Sequence, residues 1–145
     1  MHIKISTRVE SPLPEVRAGF TEDLFMSLNP PFPPVKLQEF GGCETGDRVA
    51  LELNFLLFRQ QWVSDITHHE ESDQKWLFVD EGTKLPFFLK TWQHRHLVEA
   101  RAEGSEIIDD IRFTTGTLLT DLLMYPALLL QFIYRKHVYK KVFKK

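Results

Sequence analysis

Residues Thr117 to His137, TLLTDLLMYPALLLQFIYRKH, are the one stretch of this chain that reads as a long helix. Leu119, Leu122, Leu123, Pro126, Leu129, Leu130 and Ile133 recur at helical spacing, which predicts an apolar face over roughly five turns. Gly116 breaks the chain just before it. Thr117 or Thr120 can cap the first turn, and Asp121 complements the positive helix end. Almost everything from residue 35 up to that helix alternates like β-structure, so the helix must cover a sheet.

Taken in order, His2 to Val9 alternates Ile3, Ile5, Thr7 and Val9 with polar residues, a half-buried first strand. Ser11-Pro12 reads as an N-cap followed by proline at the first helical position, opening a short helix to about Phe20. A second short helix or turn runs from about Thr21 to Leu28. The run Asn29-Pro30-Pro31-Phe32-Pro33-Pro34 is a stiff corner. Six strands follow: Val35–Phe40, Arg48–Phe58, Gln60–His69, Gln74–Asp80, Phe87–Ala102 and Ser105–Thr114. The predicted fold class is α+β, with a curved antiparallel sheet of about seven strands, two short helices after the first strand and a long C-terminal helix. So few helices over so much sheet leave a concave space, and such spaces hold ligands.

Composition narrows the functional classes. A chain of 145 residues is one domain, 1–145, and can bury a sizeable core. A single cysteine, Cys43, excludes an internal disulfide framework and fits a reducing compartment. In its loop Cys43 has no neighbouring base and reads as an ordinary thiol. Asp121, Gln131 and Arg135 interrupt the longest apolar stretch, so no membrane span is expected. The expectation is a soluble, cytoplasmic domain, monomeric or homodimeric, with no cofactor. Residues 135–145 hold six basic residues and no acidic one, so the net charge of −2 leaves −8 for the rest. That tail offers a peripheral contact with an anionic membrane. The other reading is a solvated helix end whose cations complement the dipole. With an acidic remainder, nucleic acid is not an expected partner. Gly41-Gly42 and Gly46 punctuate turns and form no phosphate loop.

Chemistry concentrates in Lys90-Thr91-Trp92-Gln93-His94-Arg95-His96-Leu97-Val98. Alternation puts Trp92, His94, His96 and Val98 on one face. Their opposite set is more polar, so this set points inward. A two-residue Glu103-Gly104 hairpin loop would pair Ala102 with Ser105 and Val98 with Asp109. Ser105, Ile107, Asp109, Ile111 and Phe113 then face inward, with Asp109 diagonal to His96. On the preceding strands Val49, Leu51, Leu53, Phe55 and Leu57 share one face, and Trp62, Ser64, Ile66 and His68 share another. Of the neighbours His68 and His69, at most one lines the interior.

Three uses of the two histidines and Asp109 stand open. His-x-His plus a carboxylate offers three metal ligands on one face. Asp109 can orient His96 for proton transfer, with His94 or His96 as acid or base. Or the group is the polar patch of an apolar pocket, satisfying itself or a ligand's polar end. No metal is expected on balance, and a binding protein is favoured over an enzyme.

The chain also resembles a known family along its whole length. The marks are Ser11-Pro12 to Phe20, the Asn29-Pro30-Pro31-Phe32 corner, Phe78-Val79-Asp80-Glu81 and Leu85-Pro86-Phe87. They continue with Trp92-x-His94-x-His96, Asp109-x-Ile111-x-Phe113 and Phe132-x-Tyr134-Arg135. Together they are similar to the SRPBCC superfamily of START-like, birch-pollen-allergen-like helix-grip proteins, in particular the bacterial ligand-binding group labelled cell-division-inhibitor-like. Leu85, Ser105 and Phe113 depart from that group's usual Gly, Thr and Tyr, and Phe113 removes a hydroxyl from the expected pocket.

The resemblance implies a cavity gripped between sheet and C-terminal helix, and a hydrophobic small molecule as partner, such as a lipid, an isoprenoid quinone, a sterol-like molecule or a polyketide-like aromatic. It supplies no catalytic set, because carriers, sensors and cyclases share the scaffold. The expected lining, resting on residues and resemblance together, takes Leu51, Leu53, Phe55, Trp62 and Ser64 from the middle strands. Phe78, Trp92, His94 and His96 join them, with Asp109, Ile111 and Phe113 from the last strand and Leu122 and Pro126 from the helix. The alternative function is a cyclase, dehydratase or hydrolase using His94, His96 and Asp109 as acid and base.

Overall fold

The computed structural model describes residues 1–145. The strands are β1 His2–Val9, β2 Val35–Phe40, β3 Arg48–Asn54, β4 Arg59–Glu71, β5 Lys75–Lys84, β6 Thr91–Arg101 and β7 Gly104–Thr114. The helices are α1 Leu13–Ala18 and α2 Glu22–Ser27, both between β1 and β2, and α3 Leu118–Val142 after β7. The seven strands form one antiparallel sheet in the order β1-β7-β6-β5-β4-β3-β2. Consecutive strands neighbour each other except at β1, which crosses to the far edge beside β7, so α1, α2 and the proline corner must span the width of the sheet. The α+β class, the strand number and the long C-terminal helix are those the sequence predicts.

Several boundaries move for local reasons. β3 stops at Asn54, not Phe58, because Asn54 Oδ1 accepts from the Leu56 amide and Phe55 N bonds Phe58 O, closing a tight turn. β6 begins at Thr91, not Phe87. Pro86 has no amide to donate, and its carbonyl accepts from Leu89 N in a turn. Ser11 does not cap α1. Its amide and hydroxyl both donate to the carbonyl of Phe143, tying the start of α1 to the end of α3.

The β6–β7 register also differs from expectation. The loop is Ala102-Glu103, and Ala100 pairs with Ser105 and His96 with Asp109. Gly104 is therefore a strand residue, with φ at +99°, and a Cβ there would run into the Val9 carbonyl of β1. The displacement is two residues, an even number, so the inward set survives: Ser105, Ile107, Asp109, Ile111 and Phe113 are all buried.

The largest correction concerns α3. The stripe expected to pack inward is mostly the outer one: Leu119, Leu122 and Leu123 are more than half exposed and Ile133 is 39% exposed, while Leu130, equally open, borders the space between helix and sheet. The buried side chains are Asp121, Leu128, Phe132, Arg135 and Tyr139. The first half of the helix is apolar nearly all round, so periodicity alone does not select a face. Asp121 does, by accepting from Thr115 N at 2.6 Å and Thr115 Oγ1 at 2.7 Å.

At its C-terminal end α3 is clamped. Phe20, Trp76, Phe78, Tyr139 and Phe143 stack edge and face within one cluster. Burial of each such ring contributes about 1.5–3 kcal/mol. A second cluster, built on Ile3, Ile5, Trp92, Ile111, Phe113, Leu128 and Phe132, packs α3 onto β1, β6 and β7.

Candidate functional site

Between α3 and the concave face of β2–β6 lies a cavity of about 700 Å³. Hydrophobic residues make up 24 of the 35 that line it, so its walls are apolar with a small polar floor. Val49, Leu51 and Leu53 of β3, Phe55 beyond it, Trp62, Ser64 and Ile66 of β4, Phe78 of β5, and Trp92, His94 and His96 of β6 all line it. The helix contributes Met124, Leu128, Gln131, Phe132 and Arg135.

Not every expected residue arrives there. Ile111 and Phe113 are buried in the packing between α3 and the sheet, and Asp109 stands behind the histidines. Leu122 and Pro126 lie on the exposed side of α3 and outside the cavity, the consequence of the misjudged helix face. Leu57 is 95% exposed in the β3–β4 turn. His68 is exposed because the β4–β5 register shifts between Ile66 and His68, turning it outward. His69 ties down a loop, accepting from the Thr45 amide at 2.9 Å.

The polar floor is a network across four elements. His94 Nε2 donates to Asp109 Oδ1 at 2.8 Å, and His96 Nε2 donates to Asp80 Oδ2 at 2.6 Å. Trp92 Nε1 donates to Asp80 Oδ1 at 3.2 Å. The two imidazoles stack with centroids 3.5 Å apart, and His96 lies flat on Phe78 at 4.1 Å. Arg135 reaches in from α3, its guanidinium 4.4 Å over the Phe132 ring and its Nη1 3.8 Å from Asp109 Oδ1. His94, His96 and Asp109 are buried to within a few per cent.

Sequence reading missed two members, Asp80 and Arg135. A signal existed for each. Asp80 stands two residues after Phe78, on the same inward parity. Arg135 follows Phe132 by three and Leu128 by seven, the spacing of a buried stripe, although it also opens the basic tail 135–145. With Arg135 inside and Lys136 Nζ donating to Ser6 O, the basic tail is reduced to its last four lysines.

The electrostatics are uneven. Burial pushes the Asp109 carboxyl up, but the His94 hydrogen bond and the charges of His94, Arg135 and His96 outweigh it and hold it below the usual range. Asp80 is likewise held down, burial being outweighed by the His96 hydrogen bond, the charges of His96 and His94, and Trp92. His96 is pushed down to about 4, by burial first and then by His94, against the pull of Asp80 and Asp109. Two carboxylates thus share this floor with one guanidinium, which lies beside Asp109. His96 Nδ1, Arg135 Nε and Nη1, Tyr139 Oη and Thr7 Oγ1 are buried without a hydrogen-bond partner.

No family model matches the chain, and no curated protein matches it by sequence. Solved structures do. The chain is similar to the Zhui aromatase/cyclase from Streptomyces sp. R1128, with a TM-score of 0.71 and 12% identity over 96% of this chain and 90% of that one. It is similar to norcoclaurine synthase from Thalictrum flavum in complex with dopamine and hydroxybenzaldehyde, with a TM-score of 0.68 and 11% identity over 98% and 85%. It is similar to ginseng major latex-like protein 151 from Panax ginseng, with a TM-score of 0.63 and 15% identity over 96% and 97%. At these identities the likeness establishes the fold alone, the helix grip that the resemblance implies, and does not single out the cell-division-inhibitor-like group. No helix is long and apolar enough to cross a membrane.

Proposed function

Starting from the helix-grip scaffold, we propose that the protein binds a hydrophobic small molecule in the cavity between sheet and α3, as a carrier or receptor. The observation behind this reading is an apolar chamber of about 700 Å³ with one polar end, within the size range of small-molecule sites. Lipids, quinones and polyketide-like aromatics have the matching form, a large apolar body with one oxygenated end. Leu51, Leu53, Trp62 and Phe78 would hold the body. Trp92, His94, His96 and, through His94, Asp109 would meet the polar end.

The experiment is native mass spectrometry of gently purified protein, followed by titration with 1-anilinonaphthalene-8-sulfonate. A stoichiometric apolar passenger, or 1:1 dye binding abolished by Ser64→Trp in a folded protein, is the expected result. Undiminished dye binding in that variant would place the dye elsewhere and remove the cavity from the account.

A second reading is favoured by one feature, the hydrogen-bonded His96–Asp80 pair facing the cavity. A carboxylate that takes a proton through a neighbouring imidazole can serve cyclisation, dehydration or hydrolysis. Turnover of any accepted substrate would then fall about 10²–10⁴-fold in His96→Ala. Unchanged turnover would exclude that mechanism.

A further inference from the structure

Neutral histidines leave this network with two clashes of like groups. When His94 Nε2 donates to Asp109, its Nδ1 is left as an acceptor 3.7 Å from Asp80 Oδ2. When His96 Nε2 donates to Asp80, its Nδ1 faces Asp109 Oδ1 at 3.9 Å and has no partner. In each case acceptor meets acceptor, inside a protein where such pairs are costly. The charges do not balance either. With both imidazoles neutral, Asp80 and Asp109 against Arg135 leave one negative charge.

A single divalent ion removes all of these. Asp80, His94 and His96 each offer one ligand atom, and these lie within 4.8 Å of one another. All three residues line the cavity. With bonds of about 2.0–2.1 Å, a tetrahedral ion separates its ligands by roughly 3.4 Å. The 3.7 Å between Asp80 Oδ2 and His94 Nδ1 already suits that, and the 2.6 Å between Asp80 Oδ2 and His96 Nε2 opens when the shared proton leaves. That proton is replaced by the ion. His96 then carries its hydrogen on Nδ1, which turns its unpartnered nitrogen into a donor facing Asp109.

Supporting contacts are in place as well. Asp109 fixes the far nitrogen of His94, and Trp92 fixes the far oxygen of Asp80, the outer contacts that orient metal ligands. We propose that Asp80, His94 and His96 form a binding site for a divalent transition ion of the zinc type, with its open coordination position facing the apolar cavity. Two imidazoles and one carboxylate suit zinc, cobalt and iron(II) rather than calcium or magnesium. With the ion bound the cluster carries one net positive charge, which suits a hydroxide or an anionic ligand oxygen in the open position. The site differs from the expected His94, His96 and Asp109 set in its carboxylate: Asp109 supports, and Asp80 ligates.

The test is titration of chelator-treated full-length protein with ZnCl₂ by calorimetry and with CoCl₂ by visible absorption. One equivalent is expected, with the d–d bands of a four- or five-coordinate cobalt site. Asp80→Asn and His94→Ala should abolish the bands while far-ultraviolet dichroism shows a folded chain. Asp109→Asn keeps all three ligands and should weaken binding about 10–100-fold. His68→Ala, on the surface, should change nothing. Absence of stoichiometric binding by the folded wild-type protein, or equal cobalt spectra in Asp80→Asn and wild type, would overturn the proposal. Either result leaves the dye titration of the cavity to stand or fall by itself.

Discussion

Arg135 of α3 and Asp109 of β7 oppose each other where the helix crosses the sheet, Nη1 to Oδ1 at 3.8 Å, both almost wholly buried. The guanidinium is the nearest fixed cation to that carboxylate, so the pair joins the helix to the polar floor. Arg135→Met should therefore destabilise the protein by about 3–5 kcal/mol at pH 7, the cost of leaving a buried charge uncompensated. The loss should shrink only as the pH falls below the usual carboxylate range, where the depressed Asp109 takes up a proton. It should also be partly recovered in Arg135→Met with Asp109→Asn. Urea unfolding of the single and double variants at pH 7, with a pH series continued below 4, measures both, and a pH-independent loss would mean that Arg135 acts through packing on Phe132 alone.

Much of this was legible beforehand, and the reason differs from element to element. β2 and the inward faces of β3 and β7 followed from period two, which a register slip of two residues does not disturb. Trp92, His94 and His96 were found by the same parity. The face of α3 was not legible, because leucines surround its first half and only the Thr115–Asp121 contact, made in three dimensions, fixes its rotation. Asp80 and Arg135 were hidden by their type. Charged residues are assigned outward by default, and only partners from other strands make their burial affordable.

Cys43 lines the cavity half-buried, and its thiol is pushed up to about 12, by burial first and then by the charges of Asp47, Asp80 and Glu44. At pH 8 the thiolate fraction, and with it the reaction with Ellman's reagent, should be lower than for a free thiol by roughly three orders of magnitude. Unfolding in urea should restore the ordinary rate. Reaction of the native protein at the free-thiol rate would show that the loop Gly41–Asp47 opens readily.

Asp121 holds the first turn of α3, accepting from the Thr115 hydroxyl and amide. Those bonds keep its carboxyl below the usual range, against a smaller push from burial. A depressed carboxylate adds stability above its unfolded value near 4 that is lost as the pH falls through its lower folded value. Asp121→Asn should flatten the stability profile between those two limits and lower stability at neutral pH. An unchanged acid limb of the urea-midpoint profile would show that Asp121 makes no contribution there.

Leu56 is 80% exposed at the β3–β4 turn and adopts φ of +74°, a conformation in which a leucine Cβ crowds its own backbone. No buried contact compensates for it. Asparagine tolerates this region by bonding its own backbone, so Leu56→Asn should stabilise by about 1 kcal/mol, a Tm gain of roughly 2–4 °C for a chain of this size. Leu56 also belongs to an apolar surface with Leu57, Phe58 and Phe87, all exposed and joined to the cavity through Phe55, which stacks on Phe58 and meets Phe87 edge to face. A strained, exposed leucine beside that surface is what a site for passing apolar molecules would retain at the expense of stability. Leu56→Asn should therefore also slow dye entry in stopped-flow fluorescence while leaving the final amplitude unchanged. A variant of higher Tm with unaltered entry would confine Leu56 to the turn; a variant of lower Tm would refute the strain itself.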